Sequence, residues 1–277
     1  MLQVLEKKNQ KARARLLDAL LVIAKQNEKG MAVLSWERAK EQYGVTMPVV
    51  RAMEEKGIVK LESMRIYRDP LDLMISRSNQ KQEEVKMQTG RDFFLNEEQQ
   101  LAVQTILKEW DQKDKSVYLL HGVTGSGKTE VYMELIDFVR KQSKQAIFLI
   151  PEIALTYQMV LRFYQRFGSR VSILHSRMSA GERYDQYEKA KNGEIDIMIG
   201  PRSALFTPFS NLGIIIIDEE HEESYKSETV PRYHARETAQ RRAEMEGAKL
   251  ILGSATPSVE SYYRAEKGEY CLLEMKR

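Results

Sequence analysis

The chain has 277 residues, enough for a sizeable core and more than one domain. Its 42% hydrophobic content is ordinary for a globular protein, and a net charge of +3 does not by itself announce nucleic acid. A single cysteine, Cys271, excludes a disulfide framework and a cysteine-built zinc site and fits a reducing, cytoplasmic setting, while no apolar run approaches the ~18–20 residues of a membrane span.

No apolar targeting segment opens the chain, so a signal peptide is not expected. Residues 1–75 read as a small separate unit. Ala12, Leu16, Ala19, Leu20 and Ile23 recur at helical spacing and predict a first amphipathic helix. Ser35 is placed to cap a second helix, Trp36 to Tyr43, which Gly44 ends. A third is predicted from about Thr46 to Lys56, with Val49, Val50 and Met53 facing inward and Gly57 at its end. Ile58–Leu61 and Met64–Tyr67 then read as two short strands. Three helices and a hairpin make a winged-helix pattern, in which the third helix of a DNA-binding member enters the major groove. The pattern fits a protein-docking or spacer module equally well, and Lys7, Lys8, Lys11, Arg13 and Arg15 fit a solvated helix face. The almost wholly polar stretch 76–92 is expected to be a linker.

From Phe93 to Arg277 short apolar runs alternate with helical patterns. Such alternation predicts a parallel sheet covered by helices on both faces, with ligands beyond the carboxyl ends of the strands. A helix opens at Leu95–Gln100 and carries Leu101, Val103, Ile106 and Leu107. The next run, Val117–Leu120, reads as a buried strand. It leads into Gly122-Val123-Thr124-Gly125-Ser126-Gly127-Lys128-Thr129 and then a helix with Val131, Leu135, Phe138 and Val139. This is the P-loop pattern in its strand–loop–helix context. The glycines allow backbone N–H groups to converge on phosphate oxygens, and the helix N-terminus adds a favourable dipole. Lys128 is placed to reach the β- and γ-phosphates of ATP, and Thr129 to offer a hydroxyl to Mg²⁺. Further strands are expected at Gln145–Ile150, Arg170–Leu174, Ile195–Ile199, Leu212–Ile217 and Ala248–Leu252, with a helix from Leu155 to Phe167.

Ile214–Ile217 runs directly into Asp218-Glu219-Glu220-His221. Branched apolar residues followed at once by three acids describe a buried strand delivering charge to the ligand edge. Asp218 stands where a second Mg²⁺ ligand belongs, and Glu219 is the candidate to activate the attacking water. Tyr225-Lys226 and Pro231-Arg232-Tyr233-His234-Ala235-Arg236 mix aromatics with cations, a combination suited to single-stranded DNA.

Gly122–Thr129, Asp218–His221 and Gly253-Ser254-Ala255-Thr256-Pro257-Ser258 together resemble superfamily 2 helicases. Leu95–Gln99, Pro151–Thr156, Leu174–Ser176 with Glu182-Arg183, Arg202–Phe206 and Pro231–Arg236 narrow the resemblance to the primosomal replication-restart helicases of bacteria. It is dense over residues 93–277. The resemblance implies a RecA-like P-loop NTPase lobe of the α/β class, a parallel sheet flanked by helices, preceded by a small winged-helix domain. It also implies an ATP-dependent, DNA-stimulated helicase of 3′ to 5′ polarity. The DNA partners would be forked and single-stranded. Primosome proteins, a replicative helicase loader and single-strand-binding protein would join it, and no membrane is involved. Gln99 takes the place of the adenine-recognising glutamine. His221, Ser254 and Thr256 take the places of residues that couple hydrolysis to movement, and Arg202, Ser203, Arg232 and Tyr233 those of DNA contacts. Gly200-Pro201-Arg202 departs from the family's usual Gly-Thr-Arg, which stiffens that loop and removes a hydroxyl.

The resembled helicases also carry a domain that binds a DNA 3′ end, a second motor lobe with an arginine finger, and a cysteine-rich zinc module. None of these is read in this sequence, so the chain is expected to be part of a longer protein, with zinc belonging to the remainder. Another superfamily 2 translocase, such as a RecG-like or restriction-type motor, is the enzymatic alternative. A DNA-binding module with a purely structural nucleotide site is the non-enzymatic one.

Overall fold

The computed structural model describes residues 11–26, 32, 34, 36–61, 95–112 and 116–276. The chain divides into two compact units, residues 1–66 and 67–277. The expected linker at 76–92, the strand at Met64–Tyr67, and Lys7, Lys8 and Ser35 lie outside the described residues.

In the first unit three helices form where apolar spacing predicts them: α1 (Lys11–Gln26), α2 (Trp36–Tyr43) and α3 (Met47–Glu54). Leu16, Ala39, Val45, Val50 and Met53 meet in a small core. The expected strand at Ile58–Leu61 does not form. Its backbone donors go elsewhere: Gly57 adopts a left-handed φ of 63°, which turns the Ile58 amide back onto the Met53 carbonyl. The Leu61 amide is taken by the Glu54 carboxylate at 2.8 Å. Two of the four amides of this stretch are thus bonded back to α3.

The second unit is a seven-stranded sheet in the order β3-β4-β2-β5-β6-β1-β7, with every pairing parallel. Its strands are β1 (Val117–Gly122), β2 (Gln145–Leu149), β3 (Val171–Ile173), β4 (Ile197–Gly200), β5 (Leu212–Ile217), β6 (Lys249–Ser254) and β7 (Cys271–Met275). The central strands are buried along their whole length because both faces are covered. Alternation sorts their side chains. Tyr118, Leu120, Ile214 and Ile216 enter one layer with α4 (Glu97–Lys108), α5 (Lys128–Lys141) and α6 (Tyr157–Phe167). Val117, Leu119, Ile215 and Ile217 enter the other with α7 (Ala180–Lys191) and α8 (Ala235–Glu246), and Ala265 of α9 (Val259–Glu266) packs there too.

Three elements of this lobe, α7, α8 and β7, are not announced by strong apolar patterns. Helix α8 buries only Ala235, Ala239 and Ala243, a stripe of small residues on an otherwise polar helix. Helix α7 buries Glu182, Gln186 and Ala190, with Gln186 accepting from Ser172 at 2.9 Å. Strand β7 is an edge strand of mostly half-buried residues.

Candidate nucleotide site

The strand order places the ends of β1 and β5 on either side of β6, so the two motif loops rise from the same edge of the sheet. A cavity of about 590 Å³ opens there, lined by Gln99, Lys128, Thr129, Asp218, Glu219 and Arg162 among others. The P-loop residues Thr124, Gly125 and Gly127 share the lining. Gly127, at φ 80°, is the N-cap of α5. Val123 is exposed at the loop's outer side. Ser126 is buried, and its amide closes a turn onto the Val123 carbonyl.

Lys128 is buried, and its Nζ donates to the Gly122 carbonyl at 2.8 Å while standing 4.0 Å from Glu219 Oε1. Gln99 is held from three sides. Its side-chain oxygen accepts from the Asn96 amide at 2.9 Å, its own amide N–H donates to Asn96 Oδ1, and its side-chain amide donates to the Ser126 carbonyl at 3.0 Å. It therefore caps α4 and braces the P-loop at once. Arg162 of α6 pairs with Glu130 of α5 at the cavity wall. Sequence reasoning passed over Arg162, because a single arginine on an amphipathic helix carries no motif.

The acid loop keeps hydrogen-bonding beyond β5: the Asp218 amide reaches the Leu149 carbonyl and the Glu220 amide the Gly253 carbonyl. Glu219 sits at φ 47°, a conformation unfavourable for any residue with a Cβ. Asp218 Oδ1 accepts from the Tyr132 hydroxyl at 3.0 Å. Burial first, then the Glu219 carboxylate, push the Asp218 pKa up to about 6, while Tyr132 and Lys128 pull it back down. The folded chain thus holds this proton more tightly than the unfolded chain. Ionisation costs stability as pH rises from 3.8 toward about 6, and the cost is constant above that. Asp218→Asn is expected to stabilise the chain without nucleotide by about 3 kcal/mol at pH 7. The gain should shrink as pH falls toward 4, and thermal melts across that range check it.

Glu220 is the residue of the acid motif that sequence reasoning left without a role. It is 1% exposed. It accepts from Arg236 at 2.8 Å, from the Ser258 amide at 2.7 Å and hydroxyl at 3.1 Å, and from the Ser261 hydroxyl at 3.0 Å. One carboxylate therefore ties the acid loop to the starts of α8 and α9. His221 grips the same segment from outside. Its Nδ1 lies 2.7 Å from Ser254 Oγ, and its Nε2 lies 3.5 Å from Thr256 Oγ1. The three residues named for coupling are thus in contact.

The residues named for DNA contact sit in two loops that are held together. Arg202 donates to the carbonyls of Ser224 at 2.9 Å and Lys226 at 2.5 Å. The Ser203 carbonyl accepts from Tyr187. Tyr233 packs edge-on against Phe206, with ring centroids 5.2 Å apart, and burial raises its hydroxyl pKa. Arg232 is exposed. The loop closes through the Lys226–His234 bridge and the bond from the Ser227 amide to the Tyr233 carbonyl at 2.8 Å.

Residues 92–259 match the family described as "Type III restriction enzyme, res subunit", a stretch that holds every motif from Gln99 to Ser258. The replication restart protein PriA of Bacillus subtilis is 47% identical over 228 residues, which cover 82% of this chain and 27% of that protein. PriA of Chlamydia trachomatis is 50% identical over 184 residues, 66% of this chain and 24% of the relative. The chain thus spans about a quarter of the length of these relatives. A structure of RecG bound to a three-way DNA junction superposes with a TM-score of 0.50 at 24% identity, over 67% of this chain and 24% of that one, and shares the fold of the parallel-sheet unit. With well over half of its residues matched, the chain belongs to the type III restriction enzyme res-subunit family, and it is similar along most of its length to PriA.

Proposed function

We propose that residues 93–277 form the first motor lobe of an ATP-dependent DNA helicase of the replication-restart type, acting 3′ to 5′ at stalled forks. One observation carries the reading: the pair Lys128 and Thr129 and the pair Asp218 and Glu219, far apart in sequence, line one cavity at the sheet edge. The similarity to PriA, whose name describes replication restart, supports the substrate class.

In this reading Lys128 leaves the Gly122 carbonyl to bind the β- and γ-phosphates, and the P-loop amides take the remaining oxygens. Glu219 orients the water that attacks the terminal phosphate. The Thr129 hydroxyl and the Asp218 carboxylate, both oxygen donors on one cavity, suit Mg²⁺. That ion is usually held by one or two protein groups plus phosphates and water, and when bound it supplies charge neutralisation on the phosphates. Gln99 recognises adenine by exchanging its bond to the Ser126 carbonyl for the base edge. His221, Ser254 and Thr256 relay the state of the acid loop, and Arg232 and Tyr233 offer charge and an aromatic face to single-stranded DNA. Arg202 and Ser203 join them only if Arg202 trades a loop carbonyl for a phosphate. Residues 1–75 are proposed as a winged-helix module, 76–92 as a linker, and primosome proteins, a helicase loader and single-strand-binding protein as partners of the longer protein.

The test is a pair of titrations on the chain. Nucleotide is expected to bind, with ATP preferred to GTP, and single-stranded DNA affinity is expected to fall steeply with salt. Hydrolysis by the chain alone should be very weak, since an arginine finger supplied elsewhere contributes ~10³–10⁵ in rate. Absence of nucleotide binding would sink the motor reading, and a flat salt response would move the DNA contacts elsewhere.

A further inference from the structure

Asp218 is held by two buried tyrosines that reach it from opposite faces of the sheet. Tyr132, fully buried in the layer of α5, donates its hydroxyl to Asp218 Oδ1 at 3.0 Å. Tyr225, buried in the other layer, donates to the Asp218 main-chain carbonyl at 2.7 Å. The first contact depends on a neighbour without a side chain: a Cβ on Gly253 would lie 1.6 Å from the Tyr132 hydroxyl oxygen. Tyr132 also stands one helical turn after Lys128, so one face of α5 carries both the phosphate-binding ammonium and the phenol.

Packing alone does not call for the hydroxyl. The Tyr132 ring lies 5.6 Å from Phe148 among apolar residues, and phenylalanine would fill the same volume. A buried hydroxyl is costly unless it finds a partner, and here the partner is the acid that faces the nucleotide cavity.

We propose that Tyr132 is a positioning residue for the metal–nucleotide site. Its hydroxyl fixes the rotation of the Asp218 carboxylate through the gap left by Gly253. It thereby joins the helix that begins the P-loop contact to the acid that serves the metal. This rests on the reading of Asp218 as the magnesium-side carboxylate. The contact makes nucleotide binding in the presence of Mg²⁺ depend on Tyr132, while metal-free binding depends on Lys128 and the P-loop amides.

The experiment is a titration of fluorescent ADP into the chain, in Mg²⁺ and in EDTA, for wild type, Tyr132→Phe, Asp218→Asn and the double variant. Tyr132→Phe is expected to require about tenfold more Mg²⁺ for half-maximal binding, with affinity in EDTA unchanged, since a hydrogen bond to a charged group is at stake. The double variant should be no worse than Asp218→Asn alone, because the hydroxyl acts only through that carboxylate. Gly253→Ala should reproduce the Mg²⁺ effect by displacing the phenol. If the wild type binds identically with and without Mg²⁺, the magnesium reading of Asp218 fails and the proposal falls with it. If the wild type responds to Mg²⁺ but Tyr132→Phe matches it, or loses equal affinity in EDTA, the Tyr132 assignment alone is overturned.

Discussion

Lys128→Ala is expected to weaken nucleotide binding by the chain about 100-fold or more and, in the longer helicase proposed above, to remove DNA-stimulated ATP hydrolysis. The ammonium is buried in the cavity lining, held by the Gly122 carbonyl and close to Glu219. Each charge-assisted hydrogen bond that it makes to phosphate is worth about 1.5–3 kcal/mol, so losing two costs about two to four powers of ten. Equilibrium titration gives the first number, and a coupled ATPase assay with forked DNA gives the second. Hydrolysis that survives the substitution would mean that the engine lies somewhere other than this cavity.

Glu220→Ala is expected to cost about 3–5 kcal/mol of stability, because it leaves Arg236 and the Ser258 and Ser261 hydroxyls facing a void with their common acceptor gone. For a unit of residues 67–277 that corresponds to a fall of roughly 10 °C in melting temperature. Glu220→Gln, which still accepts hydrogen bonds but lacks the charge, should cost less. Calorimetry separates the two, and a shift under 2 °C for the alanine variant would show that the network contributes little.

Much of the second unit was legible because its physics is local. Runs such as Ile214–Ile217 can only be strands buried on both faces, and the P-loop announces its own helix. The place of both motifs just after predicted parallel strands also put Lys128 and Asp218 at one sheet edge, and both line the cavity there. What escaped was tertiary. Helix α8 hides its buried face in three alanines, and β7 has too little apolar contrast to mark an edge strand. Tyr132 reads as an ordinary core aromatic until Gly253 is seen to make room for its hydroxyl. Glu220 reads as a third solvated acid until Arg236 and two serines close around it. The three helices of the first unit were predicted, but Ile58–Leu61 is not a strand, and two of its amides, those of Ile58 and Leu61, bond back to Met53 and Glu54 of α3.

The left-handed turn at Glu219 sorts four consecutive residues into three compartments. Asp218 and Glu219 face the cavity, Glu220 goes inward to its buried post, and His221 goes outward against Ser254. Such sorting depends on counting. Adding or deleting one residue between Ile217 and Glu222 would send each side chain to its neighbour's destination, placing a histidine or an unpaired acid in the interior. Point substitutions around the cavity can therefore be graded one by one, whereas length changes in this turn should be absent from any functional variant.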